Sequence, residues 1–123
     1  RVVRVPLLLH ADDLEPLLEF TPTWCLVERD GEDLYLVQGK ELLDWLRETL
    51  AEGEAADLAQ AGIRRWTIAP VPLQATLRQA MDKIRASTVE AVCVYERSRA
   101  TGKPILHGVV TRESIEKFGL ERL

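Results

Sequence analysis

The chain runs through one order of elements twice, and that repetition limits what it can fold into more than any single motif does. Cys25-Leu26-Val27-Glu28-Arg29 aligns with Cys93-Val94-Tyr95-Glu96-Arg97 at an offset of 68, Leu14 with Leu77 at 63, and Val37 with Val110 at 73. Around these anchors the pattern reads strand, helix, strand, strand, helix in each half. The reading divides the chain into a shorter first repeat, residues 1–60, and a second, residues 61–123. A half of about 60 residues buries little core alone, so the repeats are expected to pack against each other as pseudo-twofold partners. The expected fold class is α/β, each repeat a small β-sheet with flanking helices.

In the first half, Arg1 to Leu9 reads as a strand interrupted by Pro6. A short helix follows, capped by Asp12 or Asp13, carrying Leu14, Leu17 and Leu18, and ended by Thr21-Pro22-Thr23. Trp24 to Arg29 and Leu34 to Gln38 read as strands joined at Asp30-Gly31, a tight-hairpin signal. Lys40 to Glu52 reads as a helix with Leu42, Trp45, Leu46 and Leu50 on one face, and Glu54 to Ala61 as an Ala-rich helix stopped by Gly62. In the second half, Arg65 to Val71 reads as a strand that Pro70 and Pro72 mark as an edge or an exit. Gln74 to Ala86 places Leu77, Ala80, Met81 and Ile84 on one helix face. Glu90 to Arg97 and Ile105 to Val110 read as strands, and Thr111 to Lys117 opens a last helix before Gly119.

Composition removes several function classes. The net charge is −4, so a basic surface for nucleic acid is not expected. The charge is uneven: residues 1–60 hold 5 Lys/Arg against 14 Asp/Glu, a net of −9, and residues 61–123 hold 11 against 6, a net of +5. Two surfaces of opposite sign attract each other, and an anionic ligand prefers the second. No apolar run is long enough to span a membrane, and the absence of an initiating Met reads as the start of a fragment. Cys25 and Cys93 sit in apolar runs and read as buried, inert thiols in a reducing compartment. His10 and His107 lack metal-ligand spacing. No nucleophile elbow, Walker loop or metal motif is present, so no catalytic residue, no metal and no enzyme activity are expected.

At Gly108-Val109-Val110-Thr111-Arg112-Glu113-Ser114-Ile115 the sequence resembles the cystathionine-β-synthase (CBS) domain. That family ends its third strand with Gly, two apolar residues and Thr, with an acid one helical turn later. The strand delivers the Thr hydroxyl to a helix N-terminus, where free N–H groups favour a phosphate, and the acid accepts ribose hydroxyls. The two-copy order covers nearly all of the chain, so the whole resembles a tandem CBS pair, or Bateman module. Ala69 to Leu77 and Trp24 to Gly31 are also similar to the CBS pair that follows the membrane part of bacterial chloride channel (ClC) proteins.

The resemblance implies a cytoplasmic regulatory and dimerisation module of a ClC-type channel or chloride/proton antiporter in the inner membrane. Its partners would be a second copy and the transmembrane part of the parent. The ligand would be AMP, ADP or ATP, held at Val71, Gly108, Thr111, Arg112 and Ser114. The dimer would use the helices beginning near Lys40 and Gln74 and the last helix, with Leu43 and Leu120 off the main apolar stripes. Two alternatives stay open: a degenerate structural pair without ligand, and a freestanding regulator of a soluble enzyme.

Both copies depart from the family's pattern. Tyr35 stands where Gly is usual, Gln38 where Thr is usual, and Glu41 where Asp is usual. In the second copy Ser114 replaces the acid. Thr111 and Ser114 also suit a helix cap without any ligand. Trp24, Trp45 and Trp66 suit either the core or stacking on adenine. Arg97 and Arg112 suit either phosphate neutralisation or solvent.

Overall fold

The computed structural model describes residues 2–50, 55–86 and 88–114, which divide into two compact units, Arg1–Arg65 and Trp66–Leu123. The boundary falls after Arg65, so residues 61–65 belong with the first unit.

The first unit holds strands β1 (Val2–Pro6) and β2 (Leu8–Leu9), helix α1 (Ala11–Glu19), strands β3 (Trp24–Arg29) and β4 (Glu32–Gln38), helix α2 (Gly39–Thr49) and strand β5 (Ala56–Asp57). β3 lies in the centre of a sheet ordered β1-β3-β4, parallel to β1 and antiparallel to β4. The β3–β4 turn places Asp30 at φ 54 and Gly31 at φ 80. Two successive left-handed residues match the twist of a two-residue hairpin, which is why Asp-Gly stands there. Helix α1 starts at Ala11, with His10 at the cap position, and Asp13 accepts the His10 N–H at 3.0 Å. Asp13 therefore closes the helix from its third position and is not itself the cap.

Residues 55–61 do not form the helix expected over Glu54 to Ala61. Residues 51–54 lie outside the described residues, Ala56–Asp57 is β5, and Leu58–Gln60 is a single 3₁₀ turn. β5 pairs antiparallel with β2, and Asp57 accepts the Ala59 N–H at 3.0 Å. Asp57 thus prefers a local turn to a helix interior, and Ala56 and Leu58 are buried in the unit's core. Leu43 is also placed differently from expectation. It lies in the unit's core with Leu42 and Leu46, so it is not free for a dimer contact. Leu120 lies outside the described residues.

The second unit holds β6 (Ile68–Pro72), α3 (Leu77–Ala86), β7 (Ala91–Arg97) and β8 (Pro104–Thr111). Its sheet is ordered β6-β7-β8, again with a parallel first pair and an antiparallel second pair. β6 is an edge, which is where Pro70 and Pro72 can sit without breaking a ladder. Helix α3 starts three residues later than the reading of Gln74. Thr76 Oγ1 accepts the Gln79 N–H at 3.2 Å while Gln79 Oε1 accepts the Thr76 N–H at 2.7 Å, a reciprocal capping box. Ala80 and Ile84 pack on Val71 and Val92, with Met81 beside them. Arg112 to Ser114 are helical, and the remainder of the expected last helix, with Lys117 and Gly119, falls outside the described residues.

Register corrects the alignment of the repeats. Cys25 pairs with Val37, and Val92 pairs with Val110. Both ladders shift after the equivalent residue, Val27 in one and Val94 in the other. The strand offset is therefore 67, and Cys25 matches Val92 while Leu26 matches Cys93. Cys25, Val27 and Val37 face the first core, as Val92, Val94 and Val110 face the second. An offset of 68 puts Cys25 and Cys93 on the same face, which the pleat forbids. The offset of 73 for β4 and β8 holds: Tyr35 matches Gly108, Gln38 matches Thr111, and Glu41 matches Ser114.

Candidate functional site

The β8 end of the second unit gathers most of the residues singled out in the sequence. Val71, Val94 and Gly108 form one row across the three strands, on the face that α3 covers. A side chain at Gly108 would meet nothing within 4 Å, so space lies open at the Gly108 end of this row. Thr111 alternates to the opposite face with Val109, pairs with Ala91 and is only 7% exposed. The five expected residues are therefore split: Val71 and Gly108 share one face, Thr111 sits on the other at the strand end, and Arg112 and Ser114 follow it on the first helical turn, both exposed.

The Thr111 hydroxyl is engaged by its own helix. Its Oγ1 accepts the Ser114 N–H at 3.1 Å and lies 2.9 Å from Ser114 Oγ. This is the cap role open to Thr at that position. It satisfies one of the N–H groups of the helical turn that follows β8.

An open pocket of about 490 Å³ runs along α3, lined by Val71 and Pro72 of β6, by Ala75, and by Gln79, Asp82, Lys83 and Ala86 of α3. Of the expected set it takes in Val71 alone. The sequence reading did not single out its α3 flank, although Gln79, Asp82, Lys83 and Ala86 recur with helical spacing on the side away from the core.

In the first unit the matching positions are occupied. Tyr35 stands at the Gly108 position and packs on the core, and the Arg65 guanidinium lies over its ring, 4.9 Å from the centroid. Burial raises the Tyr35 phenol above its ordinary 10.0; the Arg65 charge pulls against this and Asp57 adds to it. Glu41, at the position of Ser114, accepts the Arg64 N–H through Oε1 at 3.1 Å. Gly39 begins α2 hard against Pro22, and a side chain there would fall on the Pro22 carbonyl oxygen.

The remaining candidates are placed without a site. Cys25 and Cys93 are both buried, and burial pushes Cys25 from its ordinary 9.0 to about 12. His107 is the residue left over by the β7–β8 register shift, and its Nε2 lies 2.7 Å from Glu96 Oε2, a cross-strand partner that spacing in sequence did not reveal. Trp45 packs on the first core; Trp24 and Trp66 are half-buried. Arg97 is exposed. Among the described residues no His/Cys/Asp/Glu group fits a metal, and no helix is long and apolar enough to cross a membrane.

No protein-family model matches the sequence, and no curated protein does. Solved structures do. The chain is similar to the CBS domain of a putative transporter from Clostridium difficile 630, at 21% identity and a TM-score of 0.61 over 99% of this chain and 87% of that one. It is similar to a hemolysin-like CBS-domain protein of Oenococcus oeni PSU, at 18% identity and 0.58 over 94% and 79%. It is also similar to the CBS domain of a bacterial CNNM/CorC family Mg2+ transporter in complex with ATP, at 18% identity and 0.54 over 95% and 78%. With the same three-strand order in both units, the chain has the fold of the CBS-domain proteins.

Proposed function

We propose that the chain is a regulatory module of a transporter, without catalysis of its own, whose second unit takes an adenine nucleotide. The observation that carries this reading is the β8 end: Gly108 with open space above it, followed by Thr111 at the mouth of a helix. Phosphates suit that helix mouth and the net +5 of residues 61–123. Two of the similar structures belong to transporters, and one of these is in complex with ATP. A nucleotide would regulate through its unequal affinity for two arrangements of the module and its partner.

The reading extends to a cytoplasmic location, a homodimer, and the membrane part of the parent as partner. One of the three similar proteins is a CNNM/CorC family transporter, and none carries the name of a chloride channel. They favour a parent of the CNNM/CorC kind over the ClC type suggested by short sequence segments. A second reading, a structural pair without ligand, is favoured by one observation: Thr111 and Ser114 bind each other. A freestanding regulator of a soluble enzyme has no such support.

Calorimetric titration with AMP, ADP and ATP separates the readings. Ser114 lacks the charge that a ribose diol prefers, a contact of about 1.5–3 kcal/mol. Weak binding by the native chain, tightened about tenfold or more by Ser114→Asp, supports the nucleotide site. No binding by either chain leaves the structural reading. Sedimentation at micromolar concentration tests the dimer, which a single 13.9 kDa species would refute.

A further inference from the structure

We propose that the first unit is closed by its own Arg64–Arg65 segment and takes no ligand, so that any nucleotide site of this chain lies in the second unit alone. The inference rests on the nucleotide reading above and goes further, because it assigns a role to a segment outside both repeats' motifs. The row that is open in the second unit at Gly108 is filled in the first by the Tyr35 ring, and Arg65 lies over that ring at 4.9 Å. Arg65 is held in place: its Nη2 donates to the Ala59 carbonyl at 2.7 Å and to the Leu58 carbonyl at 3.4 Å. Glu41, which holds the place of Ser114, accepts the Arg64 N–H. At the start of α2 the Gly39 N–H donates to the Thr23 carbonyl at 3.1 Å, and the Pro22 carbonyl leaves no room for a side chain at Gly39.

Three groups that the first repeat could offer a nucleotide thus already have a partner from the same chain. The aromatic face has a guanidinium, the carboxylate has an N–H, and the first N–H of α2 has a backbone carbonyl. A ligand entering there must displace a charge-assisted hydrogen bond and a stacked cation together. The second unit has a serine and open space at the matching places.

Amide hydrogen exchange on the full chain, with and without ATP, tests this. The Arg64 amide should be protected in the native chain and unaffected by saturating ATP. Glu41→Ala should speed its exchange about ten- to a hundredfold and leave the β7 amides unchanged, with Glu41→Gln, which keeps an acceptor, between the two. Calorimetry should find no more than one ATP per chain. An unprotected Arg64 amide, two ATP per chain, or ATP that speeds Arg64 exchange would overturn the closure. A protected Arg64 amide in a chain that binds no ATP supports the closure and refutes the nucleotide reading instead.

Discussion

Gly39, at the start of α2, and Gly108, inside β8, separate a packing constraint from open space. Gly39 has the Pro22 carbonyl where its side chain would be, and Gly108 has nothing within 4 Å. Gly39→Ala should therefore lower stability by about 2 kcal/mol or more, the scale of an overpacked site. Gly108→Ala should leave it unchanged or raise it by about 0.5 kcal/mol, since glycine weakens a strand. Urea unfolding of both variants checks the contrast. Cys25 carries a second prediction at this scale. Its thiol ionises near 9.0 when unfolded and near 12 in the folded chain. Its contribution to stability is full below pH 9 and lost as pH rises towards 12, because the unfolded chain releases a proton that the folded chain keeps. Urea midpoints at pH 8, 10 and 11 should fall, and Cys25→Ala should make the fall shallower. An equal slope in both chains would show that Cys25 is not the group responsible.

Elements were legible in the sequence where a local cause defines them. Asp30-Gly31 predicted a hairpin because its turn needs two left-handed residues, and both adopt that conformation. Strand β3 was legible from its apolar run to the residue. The failures came from pairing, which is not a local property. The shared Cys-x-x-Glu-Arg letters suggested an offset of 68, but the pleat and the ladder shift after Val27 and Val94 require 67. The Ala-rich stretch read as helix because nothing local shows that β2 waits to pair with Ala56 and Asp57. The site suffered similarly: Gly108 and Thr111 were found by motif, while the filling of the first unit depends on Arg65 reaching Tyr35 from 30 residues away. One missed signal was available. Thr76-x-x-Gln79 is a capping-box spacing, and it places the start of α3 after Thr76. Thr76→Ala should cost about 1 kcal/mol, read as a lower urea midpoint, whereas Thr76→Ser should stay close to the native value. Equal losses in both variants would mean that the hydroxyl is not what matters.

Among the described residues the two units bury unequal cores. The first buries Leu9, Leu17, Leu42, Leu43, Leu46 and Leu58 together with the inner face of its sheet. In the second, among the described residues, Val71, Ala80, Ile84 and Val92 form the cluster under α3, and Ala91 and Cys93 are also buried. Each fully buried leucine contributes about 1.5–3 kcal/mol of transfer free energy, while the ordering entropy of two units of similar length is comparable. The second unit should therefore be the weaker, and the tryptophans report on the two separately. Trp24 and Trp45 belong to the first unit and Trp66 to the second. In urea, the Trp66 signal of a Trp24→Phe/Trp45→Phe chain should fall before the Trp24 and Trp45 signal of a Trp66→Phe chain, with midpoints about 1 M apart. Circular dichroism on both variants shows whether either substitution has itself shifted the transition. Coincident midpoints would mean that the chain unfolds as one cooperative body. An early Trp66 transition has a functional consequence under the nucleotide reading. Ligand bound to the weaker unit stabilises it by mass action, so saturating ATP should raise the Trp66 midpoint and leave the Trp24 and Trp45 midpoint where it was.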